Sequence, residues 1–390
     1  MQSELKQEKM TSRERVIRTL KRQPVDRMPI DLGGHSATSI SAFAYWNLRQ
    51  HLGLPTDNIW LPDVVQLTAY VDEDIRQRFH LDCIMLEPPW PAPMRWRPRA
   101  GYEFTIPADM KPERNERGEW IVRRGDQTMR MPAGGYFFDG AWLSSWGSGS
   151  ADEHLAAYAR EAERIFKETP YAANFLGKRG GWGFNAFFGD MDRLVQMLED
   201  PETVKEEHRI RCEEFIRRAG KLIDLLGNYI QLLTVTDDMG MQQGPLCSTS
   251  LVEQLVAPYL KKFCEFVHRN SDIKVFMHNC GSILPLIPIL IDCGVDVLNP
   301  VQVSARNMEP HELKRKFGDR LVFWGGGCDT QNVLGQAAPA AVSANVRALA
   351  RTFKRGGGYV FSQVHNILGN VPPENIVAML DTAYEESFYE

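Results

Sequence analysis

The chain has 390 residues, 43% of them hydrophobic and 24% charged, with a net charge of −5, a composition that supports a large folded core. No basic stripe is concentrated enough for nucleic acid and no apolar run reaches the length of a membrane span, so neither partner is expected. The seven cysteines are odd in number and lack a small-domain disulfide spacing, and residues 1–9 are polar, so a cytoplasmic protein with reduced thiols is expected.

Residues 1–24 read as a helical lead-in, with Val16, Ile17 and Leu20 on one face. Apolar, β-prone runs then recur at 28–32, 83–86, 174–176, 230–235, 273–277, 295–298, 321–324 and 358–361. Between 89 and 140 the pattern changes to alternating β with turns, as in Glu116-Arg117-Gly118-Glu119 before Trp120. This stretch is read as a β-rich insertion after strand two. Helices are predicted at 191–199, opened by Asp190 as a cap, and at 202–226, stopped by Gly227. A third is predicted at 250–270, opened by a capping-box pattern from Ser250 to Glu253. A fourth, at 340–353, ends in Lys354-Arg355 and three glycines. Strands separated by single helices imply parallel pairing with right-handed crossovers. Eight such units close into an α/β fold, a (β/α)8 TIM barrel, with residues 1–390 as a single domain. An open doubly wound sheet is the alternative, but no G-x-G-x-x-G follows the first run.

Active sites of such barrels lie at the C-terminal ends of the strands. The fifth run ends in His278-Asn279-Cys280. Residues i and i+2 of a strand share a face, so an imidazole and a thiol leave it side by side, a pair suited to zinc. Cys328 and His365 arrive from the ends of strands seven and eight, giving four candidate ligands: His278, Cys280, His365 and Cys328. The bland alternative is two small buried cysteines and two satisfied histidines. Asp237 and Asp238 face opposite sides of strand four, one entering the barrel mouth and the other capping the next helix. Glu87, held extended before Pro88, is an acid or a substrate contact. Asp238 and Glu87 are the catalytic candidates, and His35, Gln302 and Asn366 are candidate substrate contacts. Gly325–Gly327 either lets a ligand approach the backbone or makes a turn. Trp90, Trp96, Trp142, Trp146 and Trp182 either floor a pocket or belong to the core.

The chain resembles the uroporphyrinogen decarboxylase-like superfamily over nearly its whole length. The resemblance rests on Ser12 to Val16 leading into Pro24 to Pro29, Asp237-Asp238-Met239-Gly240, and His278-Asn279-Cys280-Gly281. It rests also on Asp296 to Gln302, Gly325 to Gln331, and Val364-His365-Asn366-Ile367 followed by Val371 to Asn375. It implies the (β/α)8 barrel. True decarboxylases of the superfamily carry an arginine-rich segment after strand one; here Asp31 to Ser36 contains no arginine. The cobamide-dependent methyltransferase branch binds zinc through a His-x-Cys pair and a later Cys. His278 and Cys280 match the pair, and His365 stands where that branch has Cys.

The resemblance therefore implies a zinc-dependent methyltransferase. Its cofactors are zinc and a corrinoid (cobalamin) carried by a small corrinoid-binding partner protein. It moves a methyl group between a small methylated ether, amine or thiol and cobalt. A decarboxylase of a carboxylated substrate is the alternative, and a non-catalytic corrinoid- or tetrapyrrole-binding barrel is a third reading. The oligomeric state is left open, a homodimer among the options.

Overall fold

The computed structural model describes residues 8–140, 149–185, 187–189 and 191–389. Seven strands form one parallel sheet in chain order: Cys83–Met85, Ala172–Phe175, Leu232–Thr236, Lys274–His278, Val297–Asn299, Val322–Trp324 and Tyr359–Val360. They are barrel strands two to eight. The first position is filled by residues 28–32. Ile30 makes a parallel bridge to Phe361, Phe361 donates its N–H to Pro29 at 2.9 Å, and Asp82 donates to the Ile30 carbonyl at 2.8 Å. Both open edges of the sheet are thus joined through one segment, which closes the (β/α)8 barrel. The short strand Phe184–Asn185 adds to the end of barrel strand four.

Helices cover the outside, and their ends follow local chemistry. Ser12–Leu20 opens on a reciprocal capping box between Thr11 and Glu14, and Ala151–Glu168 on one between Ser150 and Glu153. Pro201–Leu226 starts with Asp200 accepting from the Thr203 N–H, with Pro201 at the first helical position. The helix predicted at 250–270 is two helices, Thr249–Leu255 and Ala257–Asn270, and the first is capped by Ser248 rather than Ser250. Pro258 lacks the N–H a continuous helix needs there, and its ring clashes with the preceding turn. The helix Met191–Glu199 is present, while Asp190, its predicted cap, lies outside the described residues. Among the described residues no helix is long and apolar enough to cross a membrane.

After barrel strand two the chain leaves for a two-stranded sheet, Pro93–Trp96 with Phe104–Pro107, and an antiparallel four-stranded sheet reaching Asp139–Gly140. Trp96 packs edge-on to Trp120, and Trp90 and Trp182 donate to the carbonyls of Leu61 and Ala151. Trp90, Trp96 and Trp182 hold core positions; Trp142 and Trp146 lie outside the described residues.

The N-terminal ends of the first two strands are tied together by buried charge. Asp82, fully buried, accepts from Arg15 at 2.5 Å, from Arg27 at 2.7 Å and from the Ile30 N–H at 2.8 Å. Arg15 also bonds Asp26 at 2.7 Å. Burial and these guanidinium bonds act in opposite directions on Asp26, and the bonds prevail, holding its carboxyl well below the usual range. Removing one partner of such a network strands the others in a low dielectric. Asp82→Asn is expected to cost about 3–5 kcal/mol of stability, read as a lower urea midpoint at an unchanged m-value. A shift worth under about 1 kcal/mol would show that the network is not holding the barrel floor.

Candidate metal centre

Three side chains converge at the C-terminal mouth of the barrel. One donor atom each from His278, Cys280 and His365 lies within 4.8 Å of the other two. His278 is the last residue of barrel strand five, paired in register with Thr236 and Asn299 on its neighbours. Cys280 follows two residues on, and its Sγ stands 3.4 Å from His278 Nε2. A tetrahedral zinc with bonds of about 2.05 Å to nitrogen and 2.3 Å to sulfur separates such a pair by about 3.6 Å. The donor set therefore fits zinc in chemistry, and the His278–Cys280 pair fits it in spacing.

The tautomer of His278 is fixed from behind. Asn299 donates its amide N–H to the Trp324 carbonyl at 3.0 Å, which turns its Oδ1 toward His278 Nδ1, 2.7 Å away. The carbonyl oxygen can only accept, so Nδ1 carries the proton and Nε2 presents its lone pair to the other donors. His365 comes from the loop after strand eight in a left-handed backbone conformation, φ +59°, with its carbonyl taking a bond from Gln363 at 2.8 Å. Burial, and then the neighbouring His278, bring its pKa down to about 4, so it is a neutral donor. The two imidazole centroids are 5.4 Å apart.

Asp238 stands at the exposed rim. It accepts the Cys280 N–H at 2.8 Å and lies 3.9 Å from His278 Nε2. Burial, and then the Asp238 carboxylate, push the Cys280 thiol well above its ordinary range. Asp237 is turned inward, buried, accepting from the Phe187 and Phe188 amides at 3.2 and 3.1 Å. Of the adjacent pair one does enter the mouth, but the other ties down a loop and, among the described residues, caps no helix. The loops after strands four and five touch through glycine: a Cβ on Gly281, at φ +87°, would meet the Gly240 carbonyl carbon at 2.4 Å.

Cys328 is not in this group. It is fully buried in the apolar core, where burial holds its thiol protonated. The glycines before it serve packing: a Cβ on Gly325 would fall 2.1 Å from the Pro300 carbonyl oxygen, and one on Gly327 would strike the Phe361 ring. Gln302 and Asn366, expected as substrate contacts, have their polar ends engaged within the protein. Gln302 accepts from the Gly281 N–H at 2.8 Å and donates to Gln242 at 3.0 Å, steadying the Cys280 turn. Asn366 accepts from the Ser39 N–H at 2.9 Å and donates to Gln66 at 2.5 Å, stitching the loop after strand eight to the loops after strand one.

Beside the three donors a small cleft lies at the ends of strands one to three, with a cavity volume of about 10 Å³, room for one water. His35 lies in its wall, its ring centroid 6.3 Å from that of His278. Burial, and then the neighbouring imidazole of His278, hold its pKa well below the ordinary value. Asp31 shapes the turn that presents it, accepting from the Gly34 N–H and from Trp324 Nε1, both at 2.8 Å. Glu87 is in the same wall, bonded by the Tyr158 hydroxyl at 2.9 Å and paired with Arg179 at 3.3 Å. Burial outweighs the arginine and raises its pKa. Ser36, Asn174, Asp63 and Lys178 complete the polar lining, the last two joined in an ion pair. Neither Asn174 nor the Asp63–Lys178 pair was found from sequence. Asn174 did leave a trace, as a polar residue opening an apolar run; Asp63 and Lys178 left none.

A sequence model of the uroporphyrinogen decarboxylase (URO-D) family matches residues 190–386, just over half of the chain. The chain belongs to the uroporphyrinogen decarboxylase family. The matched span carries Asp238, His278, Cys280 and His365, so the three donors are part of this family domain. No curated protein sequence matches the chain. Among solved structures it is similar to one described as a methyltransferase from Methanosarcina mazei. That likeness has 15% identity and a TM-score of 0.57 and covers 97% of this chain and 99% of that one. At this identity the likeness is one of fold. A 3-keto-D-glucoside 4-epimerase from E. coli matches with 13% identity and a TM-score of 0.38, covering 61% of this chain and 86% of that one.

Proposed function

We propose that this chain is a zinc-dependent methyltransferase that binds the metal through His278, Cys280 and His365. The observation that carries the reading is the convergence of these three donors at a barrel mouth, with His278 held in the ligating tautomer by Asn299. Three protein ligands and an open position are what a catalytic zinc site offers. The description of the Methanosarcina mazei structure as a methyltransferase agrees with it. The methyl group passes between a small methylated molecule and a corrinoid, carried by a small corrinoid-binding partner protein.

Zinc, when bound, polarises a coordinated oxygen or sulfur and stabilises its anion. The chain's own residues arrange the rest. Asn299 orients His278, and Gln302 and Asp238 fix the backbone on either side of Cys280. Asp238, open to solvent beside the donors, is the acid placed to exchange protons at the mouth. Glu87, held by Tyr158 and Arg179, belongs to the cleft wall and acts on the bound molecule rather than at the metal.

A decarboxylase needs spare cations to hold carboxylates. In this cleft Lys178 is committed to Asp63 and the adjacent Arg179 to Glu87. Purified enzyme is expected to leave uroporphyrinogen unchanged; formation of coproporphyrinogen would reverse the choice of reaction. The positive test is methyl transfer from methylcobalamin to a thiol acceptor, and from a methyl ether to reduced corrinoid, each expected with zinc and absent after chelation. Zinc-loaded enzyme inactive in both directions would return the chain to a binding role.

A further inference from the structure

On the barrel face opposite the metal centre, positive charge is left without a partner. The helices Pro310–Phe317 and Pro339–Phe353 pack together and lead into the N-terminal ends of barrel strands seven and eight. Between the ends of these helices lies a groove with a cavity volume of about 520 Å³, whose lining includes Lys314, Arg315, Asp319, Thr352, Arg355 and Gly356. Basic residues often end a helix, where their charge answers the last carbonyls. The others at the end of the second helix have partners. Arg347 and Arg351 pair with Glu386 at 2.9 and 2.8 Å, and Lys354 donates to the carbonyls of Glu386 and Phe388 at 2.6 and 2.8 Å. Arg355, exposed in the groove, has none among the described residues.

The acids of the groove are committed as well. Glu312 is shared by Arg315 at 2.7 Å and Lys316 at 3.3 Å, and Asp319 faces Arg320 at 4.0 Å. Lys314 reaches the Gly357 carbonyl at 2.6 Å and meets no carboxylate among the described residues. Burial, and then the neighbouring Arg22 cation, bring its pKa down to about 8. Arg22 lies along Gly358, its Nε buried and without an acceptor among the described residues. Asp296 and Asp319 attract it without forming an ion pair. Like charges held this close oppose one another until an anion answers them. Gly356 and Gly357 have φ of +70° and +75°, and a Cβ on either would meet nothing within 4 Å. They serve the turn that brings the Gly357 carbonyl to Lys314, and they leave the groove open.

The cations say what the groove takes. A monocarboxylate would answer one of the three. A phosphate monoester carries a charge of about −1.5 to −2 and three acceptor oxygens. Arg355 can grip it through its fork and Lys314 as a point charge. The groove has the size of a small-molecule site rather than of a bare phosphate, and no hydrophobic residue lines it. The rest of the ligand is therefore polar.

We infer that Lys314, Arg355 and Arg22 form a site for the phosphate of a small hydroxylated phosphomonoester, such as a sugar phosphate. The site goes beyond the methyltransferase reading and stands whether or not the barrel mouth holds zinc.

Calorimetric titration of the full-length protein with ribose 5-phosphate, inorganic phosphate and ribose tests it. Ribose 5-phosphate is expected to bind with a Kd of about 1 mM or tighter, inorganic phosphate more weakly and ribose not at all. Arg355→Gln, at an exposed position, should weaken ribose 5-phosphate by about tenfold, as loss of a hydrogen bond to a charged group does. Lys314→Met keeps the stem and should do the same; if its Tm falls, Arg355→Gln decides alone. Arg351→Gln removes a cation of the same helix that Glu386 already holds, and should leave affinity within about twofold of wild type. No binding of either phosphate, unchanged affinity in Arg355→Gln, or equal weakening in Arg351→Gln overturns the site. Inorganic phosphate bound as tightly as ribose 5-phosphate overturns the ester and leaves an adventitious ion only.

Discussion

Cys280→Ala protein, supplied with zinc and passed over a desalting column, is expected to hold well under half of the wild-type metal. His278→Ala and His365→Ala should behave the same way. Each leaves only two of the three donors that lie within 4.8 Å of one another, and two side chains hold zinc poorly. Methyl transfer from methylcobalamin should fall with the metal. Cys328→Ser is the control: its thiol lies in the apolar core outside the group, so zinc should stay near the wild-type level. The barrel should remain folded in all four variants, because an apolar interior supports it rather than the metal. Elemental analysis alongside circular dichroism reads both quantities. Full zinc in His365→Ala with loss in Cys328→Ser would mean the third ligand is the cysteine.

The second large effect is expected one step behind the metal. Asn299→Leu removes the acceptor that keeps the His278 proton on Nδ1 and the donor that satisfies the Trp324 carbonyl. His278 is then free to rotate and to place its proton on either nitrogen. Loss of such a supporting hydrogen bond lowers metal affinity by about 10- to 100-fold. Competition against a chromophoric chelator measures it directly. An affinity within about twofold of wild type would show that packing alone orients the ring.

The donors were legible in the sequence to unequal degrees, for physical reasons. His278 and Cys280 could be read because a strand's side chains alternate, so spacing fixed their common face. His365 followed from the order of strands around a barrel. Cys328 was grouped with them because it also follows a strand end. Three glycines precede it, with φ +122° at Gly325 and +66° at Gly326. Through such a turn alternation no longer predicts where a side chain points, and it points into the core. Asn299 was visible at the end of strand six, but its bond to His278 runs between neighbouring strands and depends on their register. Asp63 and Lys178 meet across 115 residues, a contact no local pattern announces. His35 stood out beside two glycines; that it faces the cleft is settled by the turn on Asp31, which only the folded loop decides. The barrel was legible as a whole because eight apolar runs alternate with helices. The first of them is held by single bridges and loop hydrogen bonds rather than an extended ladder.

The central claim is that one sulfur and two imidazole nitrogens of this chain hold a catalytic zinc. Zinc K-edge X-ray absorption on the zinc-loaded wild-type protein tests it most directly. The predicted spectrum has a single sulfur scatterer at about 2.3 Å, two imidazole nitrogens at about 2.0–2.1 Å and a light fourth ligand from solvent. Two sulfur scatterers, an all-oxygen and nitrogen shell, or protein that retains no zinc would contradict it.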